Sequence, residues 1–195
     1  RIIGELTNKT PIKLTDEHLK MILSNYTRYH IRKIRSSPQI GVIHGMYATA
    51  YGVGGITTIE VCSSEHNIET GQLGNVMKES IKCAKNVAKR LLPNVSPNSN
   101  MHIHLPEAST PKDGPSAGTA IALALYSYWS QVILTNKIAI TGEIDLTGNV
   151  YAIGGLEQKL YGAKNAGIEL ALIPTENDNT LEMLRTKNRS FEDDT

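Results

Sequence analysis

A mixed α/β fold, with sheets packed against helices, follows from three features of this sequence. Residues 40–47 and 56–61 are apolar extended runs joined by a glycine-rich turn at 52–55, the pattern of two antiparallel strands. Residues 73–91 place apolar side chains three and four positions apart, the period of a helix lying on a core. From Ala117 to Pro174 apolar helical runs alternate with short extended ones, as expected where helices cover a sheet.

In chain order, residues 2–13 are polar and broken by Pro11. Thr15 or Asp16 can cap a short helix whose Leu19, Met21, Ile22 and Leu23 would then pack on a neighbouring element. Residues 28–38 gather Arg28, His30, Arg32, Lys33 and Arg35 and read as a solvated linker, since no aromatic stacking platform for nucleic acid accompanies them. The strand pair follows, with Glu60 on its second member, facing solvent or a site. No helix opens after the 52–55 turn, which argues against a phosphate loop. The helix at 73–91 carries Leu73, Val76, Met77, Ile81, Ala84, Val87, Ala88 and Leu91 on its apolar side and Lys78, Glu79, Lys82, Lys85 and Lys89 opposite. Pro93 stops it.

Residues 101–105 alternate, so His102 and His104 share one face of a strand, and no third ligand at a suitable spacing makes them a metal site. The run 117–134 is interrupted by Gly118, Thr119, Ser127, Ser130 and Gln131, which makes it a core helix and not a membrane span. A buried strand at 137–142, a turn at 145–149 and a returning segment at 150–153 come next. Gly154 and Gly155 open a further helix, Gly167 is its C-cap candidate, 168–174 is a strand, and 181–184 starts another helix.

With 195 residues, 40% hydrophobic, 20% charged and a net charge of +1, the chain can bury a proper core. Its charge balance calls for neither nucleic acid nor an anionic membrane. Cys62 and Cys83 form no disulfide framework and no metal pattern, which suits a reducing compartment. The chain opens at Arg1 without a secretory leader pattern, and a piece of a longer protein is expected.

The chemistry concentrates at Thr110-Pro111-Lys112-Asp113-Gly114-Pro115-Ser116-Ala117-Gly118-Thr119-Ala120. Its prolines and glycines force a sharp turn, and Pro115 suits the first position of a helix, where its missing N–H would be an orphan anyway. Ser116 then stands at a helix start, beside free backbone N–H groups and the positive end of the dipole. Such a serine could carry negative charge in a transition state, although an ordinary N-cap is the simpler reading of the segment alone. Lys159, in Gly154-Gly155-Leu156-Glu157-Gln158-Lys159, lies 43 positions further on. It is either a surface helix lysine or, if buried, a base able to activate the serine.

The two segments and their flanks resemble the proteolytic domain of the Lon proteases, of the A type. The similarity is carried by MHIHLPEASTPKDGPSAGTA (101–120), AITGEIDLTGNVYAIGGLEQKL (139–160), AKNAGIELALIP (163–174) and ETGQLGNVMKES (69–80). It covers roughly Ile40 to Pro174. The resemblance implies a fold related to the ribosomal S5 domain 2-like topology and a Lon proteolytic domain at 40–195. Residues 1–39 would be the tail of a preceding ATPase (AAA+) module and its linker. It implies a Ser116–Lys159 dyad, with Thr141 orienting the lysine, Asp113 gating the turn, and Gly114, His102 and Glu143 in supporting places. Backbone N–H groups around Gly114 to Ser116 would form the oxyanion hole.

It further implies an ATP-dependent serine endopeptidase acting on unfolded or damaged proteins, assembled as a homo-hexamer. The compartment would be intracellular, cytoplasmic or mitochondrial matrix, without secretion, membrane or nucleic-acid contact. This fragment would bind no cofactor or metal, ATP and Mg belonging to an absent ATPase module. Departures stand at Ala108, where Pro-Glu-Gly is usual, at Glu157-Gln158 before the lysine, and at Met46-Tyr47-Ala48, where a Trp is often found. They touch substrate preference and pocket shape. A further strand and helix normally follow in the family, so the polar, acidic end of the chain implies truncation or divergence.

Two other readings compete. A small-molecule kinase of related topology would use Gly114–Gly118 as a phosphate loop, but no GxxxxGK[ST] occurs and the lysine spacing is left unexplained. A non-catalytic ring-assembly domain would need neither Ser116 nor Lys159.

Overall fold

The computed structural model describes residues 15–24, 32–94, 100–107 and 110–187. The chain forms two compact units, divided between residues 30 and 31.

The described part of the first unit is helix α1 (Asp16–Leu23). Thr15 caps it: the Thr15 hydroxyl accepts from the His18 N–H at 3.4 Å, and His18 Nδ1 accepts from the Thr15 N–H at 3.3 Å. Leu19, Met21 and Ile22 of the expected apolar set are exposed, and the side chain of Leu23 lies outside the described residues.

The second unit is built on six strands, β1 (Val42–Ala48), β2 (Gly54–Ser63), β3 (Ile68–Thr70), β4 (Met101–His104), β5 (Ile138–Ile140) and β8 (Leu170–Leu172). They form one mixed sheet in the order β3-β4-β2-β1-β5-β8. The pairs β1–β2 and β2–β4 are antiparallel, and β1–β5, β5–β8 and β3–β4 are parallel. A separate hairpin pairs β6 (Glu143–Ile144) with β7 (Val150–Tyr151). The Asp145 carboxylate in its turn accepts from Thr147, Asn149 and Tyr151.

Alternation along the strands gives the sheet two apolar faces. On one, Ile43, Ile59, Val61, Met101 and Ile103 meet α2 (Asn75–Leu91) and α3 (Gly118–Ser130) through Met77, Ile81, Ala84, Ala120, Ile121 and Leu125. On the other, Met46, Ile56 and Ala139 meet Ala163 and Ala166 of α4 (Leu156–Ala166). A final helix, α5 (Asp178–Lys187), follows a 3-10 turn at Thr175–Asn177. No described helix is long and apolar enough to cross a membrane.

Three expectations need correction. Val76 and Leu91 of α2 are exposed, whereas Ser80 is buried. At about 100° per residue Val76 lies on the flank of the stripe centred on Met77, and Leu91 is the last residue of the helix. The apolar run to Leu134 overshoots α3, which ends at Ser130 where Gln131 turns left-handed at φ +58°, leaving Val132 and Ile133 exposed. Buried Ser127 secures this end, its hydroxyl donating to Val132 O at 2.6 Å and accepting from the Gly41 N–H at 2.9 Å.

The described part of the 28–38 segment is exposed at residues 36–38, as a solvated linker would be, but it is anchored at 33–35. Ile34 packs against the α4 side of the core, its N–H donates to Ala166 O at 3.1 Å, and Lys33 Nζ donates to Asn165 O. The last carbonyls of a helix lack intrahelical donors and carry the negative end of its dipole, so a basic segment finds ready partners there. Arg35 pairs with Glu60, placing that carboxylate in a structural ion pair. Arg28 and His30 lie outside the described residues.

Candidate active site

Ser116 is the middle residue of the 3-10 turn Pro115–Ala117 that leads into α3. Gly114 precedes it at φ +116°, ψ 153°, a backbone shape open to glycine, and Pro115 takes the first helical position. Two side chains fasten this turn to α2. The Asp113 carboxylate accepts the Met77 N–H at 2.8 Å, and the Ser80 hydroxyl donates to Pro115 O at 3.1 Å. The N-cap of α2 is Gly74, so Asp113 supplies from a distance the cap that residue 74 lacks. A Cβ on Gly74 would stand 2.3 Å from Asp113 Cγ, so only glycine leaves room for that carboxylate.

The chain beyond β5 completes the support. Ser116 O accepts from the Gly142 N–H at 2.8 Å and from the Thr141 hydroxyl at 3.1 Å, while Thr119 N–H returns a bond to Gly142 O at 3.1 Å. Thr141 is itself fixed by its N–H bond to Leu172 O in the strand beyond, at 3.1 Å.

Lys159 comes from the opposite side. Gly155 starts α4 at φ +67°, 2.7 Å being all that a Cβ there would have from Ala48 Cβ. Close approach also seats the helix on β2, since a Cβ on Gly162 would lie 2.2 Å from the Gly54 carbonyl carbon. This seating buries Lys159 to 4% exposure. Its Nζ reaches Ser116 Oγ at 3.1 Å and Thr141 Oγ1 at 3.3 Å. Burial, which disfavours the ammonium, pushes its pKa down from 10.5 to about 8. Serine and lysine thus open onto a cleft of about 600 Å³ that is also lined by Tyr47 to Ala50 and Ala152 to Gly155, while the buried Thr141 supports them both.

Residues 13–190 match the family model described as the Lon protease (S16) C-terminal proteolytic domain. The chain belongs to this family. Among its relatives, the Lon protease of Campylobacter jejuni is 36% identical over 91% of this chain and 26% of the relative. The Lon protease of Clostridium beijerinckii is 41% identical over 91% and 23%, respectively. A mitochondrial Lon protease homolog of Phaeodactylum tricornutum is 38% identical over 70% of this chain and 18% of its own. The chain spans about a quarter of the length of the first two of these.

Within this Lon domain the residues singled out in sequence separate into two groups. Ser116, Lys159 and Thr141 touch one another, Asp113 and Glu143 line the same cleft, and Gly114 shapes the turn. His102 does not join them. Its Nε2 shares the Thr70 hydroxyl, at 2.8 Å, with His104 Nδ1 at 2.7 Å, and its ring lies edge-on to that of His104. Among the described residues no group of three His, Cys, Asp or Glu side chains is placed to hold a metal ion. The Gly114 N–H, expected as an oxyanion donor, instead donates to the Asp113 carboxylate at 2.9 Å. Pro115 has no N–H, which leaves Ser116 as the remaining backbone donor of the Gly114–Ser116 group expected for that task.

Sequence reasoning missed Gly74 and Ser80 in this Lon site. Ser80 left a signal, a hydroxyl inside the apolar stripe between Met77 and Ile81. Gly74 left none, since its role depends on a carboxylate 39 positions away in the chain, counted from 74 to 113.

Proposed function

We propose that this domain is a serine endopeptidase working through a Ser116–Lys159 dyad. One observation carries the reading: a lysine at 4% exposure places its amine 3.1 Å from the hydroxyl of a serine at a helix start, on the floor of an open cleft. A lysine is a base only when neutral, and burial, by lowering its pKa to about 8, makes that form a usable minority near neutral pH and the major one above it. Thr141 aims it. The Thr141 proton is committed to Ser116 O, so its oxygen takes an N–H from Nζ and the amine lone pair is left toward Ser116 Oγ.

Neutral Lys159 takes the proton of Ser116 as Oγ bonds to the scissile carbonyl carbon. The resulting oxyanion lies against the Ser116 N–H and the positive end of the turn and helix. The tetrahedral species collapses, the C–N bond breaks, and the lysinium gives its proton to the departing amine. Lys159 then takes a proton from water, whose oxygen attacks the acyl ester, and the proton returns to Ser116 Oγ as it leaves. Asp113 holds the turn in shape through Met77 and Gly114, and its release from them is the way this turn would gate. Glu143 lends negative charge to the cleft rim without a step of its own.

The reading extends to the whole protein as the family suggests it. Residues 1–39 would connect to an ATPase module holding ATP and Mg, which delivers unfolded or damaged proteins to a homo-hexamer inside the cell or the mitochondrial matrix.

The test is hydrolysis of a short fluorogenic peptide from pH 6 to 10. The rate should rise with pH through a limb near the lysine value of about 8. Ser116→Ala and Lys159→Ala should each lower it by ~10³-fold or more, as removal of a nucleophile or its base does. Hydrolysis surviving in Ser116→Ala would overturn the dyad. No hydrolysis, together with no fluorophosphonate labelling of Ser116, would leave the assembly-domain reading standing.

A further inference from the structure

Asn177 lies far from Ser116 in sequence and contributes no atom to the chemistry, yet it is one of the few polar side chains with almost no exposure, at 4%. It closes the 3-10 turn after Pro174, and its own N–H donates to Pro174 O at 2.9 Å. Its carboxamide faces the backbone of one residue. Asn177 Oδ1 accepts the Ile153 N–H at 2.9 Å, and Asn177 Nδ2 donates to Ile153 O at 3.0 Å. A side chain thereby does what a neighbouring strand would do, satisfying both main-chain groups of Ile153 at once. Beside it, the Glu176 carboxylate accepts the Ala152 N–H at 2.8 Å.

The segment so fastened has two duties. Ala152 to Gly155 lines the cleft, forming a wall that meets the 47–50 segment where Gly155 lies against Ala48. It also runs straight into α4, where Gly155 O accepts the Lys159 N–H at 3.0 Å. Among the described residues no strand pairs with this wall, and β7 ends just before it at Tyr151. Gly154 and Gly155 follow immediately and give the backbone no side chain of its own to hold it. Without a tether the wall would be free to move relative to the nucleophile turn, which is anchored separately on α2.

We infer that Asn177 is a positioning residue for proteolysis, holding Ile153 so that the 152–155 wall presents a fixed surface to the bound peptide; this rests on the endopeptidase reading above. It acts on the placing of the peptide and leaves the proton chemistry of Lys159 alone, because Asn177 bonds Ile153 only, the first turn of α4 is closed by its own Gly155–Lys159 bond, and the amine is held by burial and by Thr141.

Asn177→Ala removes both bonds. Asn177→Asp keeps an acceptor for the Ile153 N–H but sets a carboxylate oxygen against Ile153 O, so it should be no better than Ala near neutral pH. Three readouts on the 195-residue chain separate the possibilities: KM and kcat for the fluorogenic peptide, the rate at which a small fluorophosphonate labels Ser116, and the folded fraction at the assay temperature. Expected for both variants is a rise in KM of ~10-fold or more, the loss that follows when bound groups are misplaced. Labelling should stay within ~3-fold of the parent, and the alkaline limb should not move, since neither depends on the wall. Equal losses in labelling and peptide hydrolysis, or losses accounted for by the unfolded fraction, would overturn the inference and reduce Asn177 to a packing residue. Unchanged KM in a folded variant would overturn it as well. Failure of the parent chain both to hydrolyse peptide and to label would instead remove the endopeptidase reading, and this inference with it.

Discussion

Ser116 sits in an irregular turn and stays half-buried, with its place set by hydrogen bonds from Ser80, Thr141 and Gly142 and by the Asp113 tether to Met77. Lys159 sits in the first turn of a regular helix, nearly inaccessible, and what it receives from its surroundings is chiefly the absence of water. The two halves of the site are therefore secured by different physics. On the proposed reading the nucleophile must stay open to a peptide, so it is fixed by directional bonds to its own main chain and not by burial. The lysine must be neutral to act as a base, and desolvation raises its neutral fraction at the expense of folding stability.

That difference gives the largest effect on the lysine. Lys159 falls from 10.5 to about 8 on folding because burial disfavours its charge. Between these two values the unfolded chain binds more protons than the folded one, so stability rises with pH across that window. Below about 8 the full penalty is present, and it is relieved as pH climbs toward 10.5. At ~1.4 kcal/mol per pH unit the penalty is about 3 kcal/mol. Lys159→Met keeps the length and apolar stem without the charge. We expect it to abolish peptide hydrolysis yet to unfold at higher denaturant than the parent at pH 7, by up to about 3 kcal/mol, with the gain vanishing above pH 10. Both Thr141 and Ser116 keep other partners in that variant. A variant less stable than the parent at pH 7 would show that the lysine is held by its bonds after all.

Thr141 belongs to both halves, which makes it the sharper probe. Its hydroxyl donates to Ser116 O and accepts from Lys159 Nζ. Thr141→Val preserves the shape and leaves Ser116 O with the Gly142 N–H. The ammonium form of Lys159 loses an acceptor, so its pKa should fall further and the limb of the rate profile should move below its parent position near 8. The amine also loses its aim, and kcat should drop by ~10–100-fold across the whole profile. A limb moving upward would mean that water had entered to replace the threonine, and that burial rather than the hydroxyl had been lost.

The two halves were unequally legible in the sequence. Pro115 before Ser116 announces a helix start, and the glycines at 154 and 155 announce another, so both segments were placed on the right kind of element. The resemblance to Lon joins them as a pair and sets Thr141 beside the lysine, but it does not show that Thr141 also reaches the serine's carbonyl. Thr141 can touch both because β5 runs parallel to β1 and delivers it under the Ser116 carbonyl, a fact of sheet order and not of local pattern. The fold shows the same limit. The helix α2 and a glycine-marked turn between β1 and β2 are local signals and are legible, although the stripe on α2 is narrower than expected and Gly54 and Gly55 already belong to β2. The end of α3 at Gln131 was not, because an apolar run records burial tendency without recording where the chain reverses. The anchoring of residues 33–35 was hidden for a related reason. Their basic composition hides Ile34, and the carbonyls that collect Lys33 belong to a helix more than a hundred residues away in the chain.

The smallest expected effect isolates the directional support on the serine side. Ser80→Ala removes one hydroxyl bond to Pro115 O, worth about 1 kcal/mol net. The carbonyl keeps the Gly118 N–H as a donor, and alanine is the better helix former by roughly half a kcal/mol. Stability should therefore change by less than about 1 kcal/mol. The turn loses one of its two ties to α2 while the Asp113 bond to Met77 remains. We expect kcat to fall by ~3–10-fold with KM unchanged, because the serine is less well aimed and the walls of the cleft are untouched. The position of the alkaline limb is the decisive quantity, since Ser80 makes no contact in the hydrogen-bond chain that ends on Lys159. A limb that stays in place would show that the serine can be loosened without wetting the lysine. A limb that moves would show that the turn and the lysine share one enclosure, and that bonds on the α2 side keep water from both.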